Sequence, residues 1–109
     1  MRVRILTQSR EFGLPGNDTR LNVIVIGRVQ GVGFRMFVQH HATQLNLVGY
    51  VRNDHTNRRR LEVVAEGSKE NLEELLRKLQ IGPGGARVED VQVSWGHSQD
   101  GFNSFRVTA

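Results

Sequence analysis

Residues 27–35 read Gly-Arg-Val-Gln-Gly-Val-Gly-Phe-Arg and follow directly on the apolar run Leu21-Asn22-Val23-Ile24-Val25-Ile26. The pattern predicts a strand entering a glycine-rich turn, with Arg35 at the start of the next helix. Gly31 and Gly33 can take backbone angles closed to other residues, which lets several N–H groups point at one anion. A helix N-terminus behind them adds free donors and the positive end of a dipole. Arg35 supplies a planar, permanently charged fork suited to a phosphate or carboxylate. Together these features describe an oxyanion cradle. The plainer alternative is a tight strand-to-helix turn whose arginine reaches only water, and on spacing alone the two readings stand level.

The kind of cradle narrows by elimination. A nucleotide-binding P-loop requires Gly-x-x-x-x-Gly-Lys-Ser/Thr, and no lysine precedes Lys69. The dinucleotide fingerprint requires a third glycine three residues after the second, where this chain has Met36. The loop therefore suits a small phosphate group without a nucleotide.

The segment Gly27-Arg28-Val29-Gln30-Gly31-Val32-Gly33-Phe34-Arg35, followed by Gly49-Tyr50-Val51-Arg52-Asn53, resembles the paired signature of acylphosphatases. The likeness continues through Leu61-Glu62-Val63-Val64-Ala65-Glu66-Gly67 and Gly82-Pro83-Gly84-Gly85-Ala86-Arg87-Val88, and closes on a segment with Phe102 and Phe105. The resemblance implies hydrolysis of small acyl phosphates to a carboxylate and inorganic phosphate, without cofactor or metal. It implies that Arg35 binds the phosphate and that Asn53 positions the attacking water. The backbone of Arg28, Val29, Gln30, Gly31, Val32, Gly33 and Phe34 would supply the remaining contacts to substrate. A carboxamide suits the water-aiming task because it accepts from water and carries no charge to repel phosphate. Inorganic phosphate is then expected as product and inhibitor, and a monomer is expected.

Asp54 and His55 directly follow Asn53 and invite a general-base role, but a polar loop after a strand is the better reading. One departure from the family pattern is the connection Asp54-His55-Thr56-Asn57-Arg58-Arg59-Arg60. It is about two residues longer than the family's usual Asp-Gly turn and has no glycine, so Asn57 is expected to take the left-handed conformation instead. The arginine run 58–60 reads as a solvated hairpin tip. An electrostatic funnel for anionic acyl phosphates or nucleic acid is the weaker alternative.

Composition agrees with a single soluble domain. The chain has 109 residues, 24% charged and 38% hydrophobic. It has no cysteine, which excludes disulfides, thiolate nucleophiles and cysteine-based metal sites. His40, His41, His55 and His97 lack zinc-ligand spacing. The formal charge is +4, carried by thirteen arginines against two lysines, a balance that attracts anions of any size. No stretch has signal-peptide character or the length to span a bilayer, so a cytoplasmic location is expected.

The periodicities predict strands near 21–27, 47–53, 60–66, 88–95 and 103–108, with helices near 34–46 and over a leucine stripe after Ser68. In the second helix Leu72, Leu75, Leu76 and Leu79 mark the core face, Ser68 is the N-cap and Gly82 the stop. Glu73–Arg77 and Glu74–Lys78 sit at favourable i,i+4 spacing. The order gives an α+β, ferredoxin-like sandwich (βαββαβ), an antiparallel sheet of four to five strands with two helices on one face. Residues 1–20 are expected to be a flexible N-terminal extension ahead of an acylphosphatase-like domain over 21–109.

Two rival functions share features with this sequence. RNA-recognition modules share the topology but need exposed aromatics on central strands, and the candidate strands offer Val23, Val25, Val63 and Ala65. A module resembling the N-terminus of hydrogenase-maturation carbamoyltransferases would keep the arginine and asparagine, but those chains are long and carry cysteine-rich segments. A free-standing enzyme that takes an acyl phosphate and binds neither nucleic acid nor membrane is the preferred reading.

Overall fold

The computed structural model describes residues 1–7, 19–99 and 101–109. Its elements are β1 (Arg2–Thr7), β2 (Thr19–Arg28), α1 (Phe34–Gln44), β3 (Val48–Asn53), β4 (Arg60–Gly67), α2 (Lys69–Ile81), β5 (Arg87–His97) and β6 (Phe105–Thr108). The strands form one sheet in the order β1-β5-β2-β4-β3-β6. Two helices cover one face, giving the ferredoxin-like α+β architecture.

The sheet corrects the sequence expectation in two ways. Among the described residues it has six strands rather than four or five, and it is mixed rather than antiparallel. Its centre, β5-β2-β4-β3, is antiparallel, whereas β1 runs parallel to β5 and β6 parallel to β3. Periodicity locates a strand but carries no information on the direction of a distant neighbour.

Residues 2–7 are likewise not a flexible extension. Arg2-Val3-Arg4-Ile5 alternates with period two, and Val3 and Ile5 register against Val91 and Val93 of β5. Thr19 and Arg20 belong to β2. The rest of the expected extension, residues 8–18, lies outside the described residues.

The core lies between helices and sheet. Leu21, Val23 and Val25 of β2 are fully buried beneath the helices, while Asn22, Ile24 and Ile26 are half-buried on the opposite face. The strand is therefore amphipathic rather than buried on both sides. Phe34, Val38 and Ala42 form the buried stripe of α1. This helix ends at Gln44 rather than near 46, because Asn46 turns left-handed (φ 58°) and Leu47 donates back to the Ala42 carbonyl at 2.9 Å.

In α2, Leu72, Leu75 and Leu79 are fully buried and Leu76 is partly so. Ser68 caps it by accepting from the Asn71 N–H at 3.2 Å, and Gly82 closes it with φ 72°. The surface ion pair that forms is Arg77 with Glu74, three residues apart, rather than either expected i,i+4 pair.

This topology brings the two halves of the signature together. Strands β2 and β3 flank β4 and both run antiparallel to it, so their C-terminal ends emerge on the same side of the sheet. The register places Val25 opposite Leu61, and Leu61 opposite Asn53. Asn53 thus ends β3 beside the loop that follows β2.

Candidate active site

Between Arg28 and α1 the chain makes two left-handed steps, Gly31 at φ 75° and Gly33 at φ 77°. A Cβ at either position would meet nothing within 4 Å, so the backbone angle, not crowding, is what calls for glycine. Gly33 is the N-cap of α1 and supplies no capping side chain. The Phe37 N–H is the first to reach a carbonyl, that of Gly33 at 3.1 Å. The N–H groups of Phe34, Arg35 and Met36 therefore have no partner within their own helix. No acidic residue occupies that first turn. The buried Phe34 ring, edge-on to Phe37 at 5.8 Å, anchors this helix end in the core.

A pocket of about 160 Å³ opens at this point, lined by Val29, Gly31, Gly33, Phe34, Arg35, Met36, Asn53 and Val107. Arg35 is exposed, and among the described residues no carboxylate pairs with it. Asn53 faces it from β3 with a buried Oδ1 that no group of the described residues satisfies. An unsatisfied buried acceptor costs about 1–3 kcal/mol. Its retention at a pocket wall fits a partner from outside the fold, such as a water.

A family model described as Acylphosphatase matches residues 21–107. The chain belongs to the acylphosphatase family. An acylphosphatase of Thermus thermophilus is 51% identical over 88 residues, which span 81% of this chain and 97% of that protein. The crystal structure of acylphosphatase from Bacillus subtilis superposes with a TM-score of 0.78 at 35% identity, covering 84% of this chain and 99% of that one. Full-length HypF, crystallised in its phosphate- and nucleotide-bound form, matches with a TM-score of 0.77 at 26% identity. That match covers 89% of this chain but only 12% of HypF.

Of the site residues expected from the acylphosphatase signature, Val29, Gly31, Gly33, Phe34, Arg35 and Asn53 line the pocket. Arg28, Gln30 and Val32 do not. Arg28 ends β2 beside Arg87 of β5, both exposed. Val32 packs against the core. The Gln30 side chain turns toward the 54–60 connection. Two lining residues escaped the sequence reading. Met36, exposed despite its size, directly follows Arg35, and that adjacency was the available signal. Val107 arrives from β6, and nothing local announces it.

The 54–60 connection is tied down differently from expectation. Asn57 does not take the left-handed conformation; among the described non-glycine residues only Asn46 does. Instead the Asn57 Oδ1 accepts from the Arg59 N–H at 2.9 Å, and its carbonyl accepts from the Arg60 N–H at 3.1 Å. A side-chain acceptor closes the turn, so no positive φ is needed. Arg59 pairs with Glu89, and Arg60 stands 3.8 Å from Asp54, leaving Arg58 as the solvated member of the run.

Asp54 and His55 line an adjacent polar hollow, not the pocket that holds Arg35. The Asp54 carboxylate accepts from the Thr56 hydroxyl at 2.7 Å and the Thr56 N–H at 2.8 Å. These bonds, with Arg60 nearby, hold its pKa below the ordinary carboxylate value. A group so engaged is a poor proton acceptor at neutral pH.

The residues weighed for RNA stacking, Val23, Val25, Val63 and Ala65, point into the core. The opposite face of β2 and β4 carries Asn22, Ile24, Ile26, Glu62, Val64 and Glu66, the last two buried, again without an aromatic. Among the described residues no three His, Asp or Glu gather as metal ligands. None of the described helices is long and apolar enough to cross a membrane.

Proposed function

We propose that this chain hydrolyses the carboxyl-phosphate bond of small acyl phosphates by attack of water on phosphorus. One observation carries the assignment. An uncapped helix start bearing an unpaired arginine shares a pocket with an unpartnered buried carboxamide oxygen. An acyl phosphate is a mixed anhydride, so the barrier falls once the phosphate is held, its charge is met and a water is aimed.

In this reading the α1 N–H groups and the Gly31–Gly33 turn bind the phosphate oxygens, and the Arg35 fork binds two of them. These contacts hold the phosphate in the ground state and strengthen as charge develops on it in the transition state. Asn53 Oδ1 accepts a hydrogen bond from the attacking water and orients its lone pair toward phosphorus. The water's proton passes to a phosphate oxygen, and the carboxylate leaves with the electrons of the broken P–O bond. No metal takes part, and the enzyme acts as a cytoplasmic monomer. Relatives matched over nearly their whole length favour this reading over a module of a much larger enzyme.

The test is hydrolysis of benzoyl phosphate by the purified chain in excess chelator, with inorganic phosphate as inhibitor. Full activity with competitive inhibition is expected. Activity that vanishes in chelator and returns with a divalent ion would overturn the metal-free mechanism.

A further inference from the structure

Gln30 sits inside the cradle loop, yet its side chain leaves the pocket and enters the 54–60 connection. Its Nε2 donates to three backbone carbonyls, Asp54 at 3.0 Å, Asn57 at 3.1 Å and Arg60 at 3.0 Å. Two N–H hydrogens thus serve three acceptors, so one is shared. Three carbonyl oxygens converging on one point repel each other unless a donor lies between them. Within the connection, the Asp54 N–H donates to the Arg60 carbonyl at 3.0 Å, and the Arg60 N–H to the Asn57 carbonyl at 3.1 Å. The Gln30 amide therefore occupies the centre of a closed turn that lacks glycine.

One of the pinned carbonyls belongs to Asp54, the residue bonded to Asn53. A backbone tie from the end of β2, Gly27 N–H to the Arg59 carbonyl at 2.8 Å, lies at the far side of the turn. The cradle has independent supports in buried Val29 and Phe34. The connection's tie on the Asn53 side is Gln30.

We infer that Gln30 is a positioning residue that fixes Asn53, and the water it aims, relative to the phosphate cradle. This inference rests on the hydrolase reading above. Gln30 touches no reacting atom in it; it sets the distance between the two groups that do. Removing its donor leaves phosphate binding with the loop and Arg35, while the Asn53 amide drifts. Misplacement on the order of 1 Å costs about 100-fold in some enzymes, and a loosened rather than lost contact is expected to cost about tenfold.

The experiment is a double-mutant cycle between Gln30→Met, of similar length without a donor, and Asn53→Ala, read by benzoyl phosphate turnover and phosphate inhibition. Gln30→Met alone is expected to lower kcat about tenfold with phosphate inhibition within about twofold of wild type. In the Asn53→Ala background the same change is expected to matter less than about twofold. Gln30→Glu, isosteric and acceptor-only, repeats the test if Gln30→Met does not fold. Additive losses, an unchanged kcat, or phosphate inhibition weakened in step with kcat would overturn the proposal, as would failure of both variants to fold. If the wild-type chain hydrolyses no acyl phosphate, the hydrolase reading fails. The pin is then judged by the Asn53 side-chain amide resonances, which must broaden or shift in Gln30→Met for it to stand.

Discussion

The two ends of the β2–β4 pair treat their polar groups in opposite ways. At one end, where Thr19 registers with Gly67, the buried side-chain polar atoms of the described residues find partners within the fold. Helix α2 starts under a Ser68 cap with Glu70 in its first turn. The buried carboxylate of Glu66 accepts from Arg20 at 3.1 Å, the Ser98 hydroxyl at 2.8 Å and the Gln99 N–H at 2.9 Å. At the other end, where Ile26 registers with Arg60, helix α1 starts on a bare glycine and its first turn carries Arg35 instead of an acid. Asn53 Oδ1 there is buried and has no partner among the described residues. One fold builds both ends from the same strands. The difference marks which end is arranged for a molecule outside the chain.

The sharpest break in this contrast comes from Arg35→Lys and Asn53→Ala. Each is expected to lower benzoyl phosphate turnover about 100-fold or more. Arg35→Lys keeps the charge but loses the two-pronged geometry, so phosphate inhibition should weaken with it. Asn53→Ala should leave phosphate inhibition nearly unchanged, because the water is aimed only on the way to the transition state. A folded Asn53→Ala enzyme with wild-type kcat would remove the water-positioning assignment.

At the satisfied end, Glu66→Gln is expected to cost about 2 kcal/mol of stability at neutral pH and little activity. Burial opposes the Glu66 charge, but the Gln99 N–H, the Ser98 hydroxyl and Arg20 outweigh it and lower the pKa. The folded value thus lies below the unfolded one. The carboxylate's contribution is complete above the unfolded pKa and is lost as pH falls through the folded value. Urea unfolding of both proteins from pH 7 downward should show the gap closing in acid, and a gap that widens there would contradict the network.

Gly33→Asp tests the open helix start by placing a carboxylate where the phosphate is proposed to bind. Phosphate inhibition is expected to weaken about tenfold, and added salt should narrow the deficit. The mildest change is Ser68→Ala. Removing that cap is expected to cost about 1 kcal/mol, read as a lower Tm, with kcat and KM unchanged. An equal loss of activity in Ser68→Ala would erase the distinction between the two helix starts.

The sequence made the ends and core face of α2 legible, because its cap, leucine stripe and glycine stop are all local; its surface ion pair was not. It also named Arg35 and Asn53 as a pair, through a motif in two pieces. Their meeting depends on β4 lying between β2 and β3, which is a property of the sheet. What stayed hidden was non-local or directional. The parallel pairing of β1 and β6 and the arrival of Val107 depend on strands far away in the chain. The path of the Gln30 side chain, out of the pocket and into the next turn, has no signature in residue type. Strand faces misled as well, since the valines weighed as a surface platform are the floor of the core.

Strand β1 has a consequence for the order in which the molecule assembles. Its partner is β5, with Arg2 opposite Asp90, so nearly the whole chain must emerge before the first strand can pair. Until then Val3, Ile5 and Leu6 have no sheet to join, and even in the finished fold they stay substantially exposed. The β3–β4 and β2–β4 pairs close over shorter separations and can form first. Strand β1, made well before its partner, thereby docks late, and the interval before it docks is when neighbouring chains have their best chance to capture it.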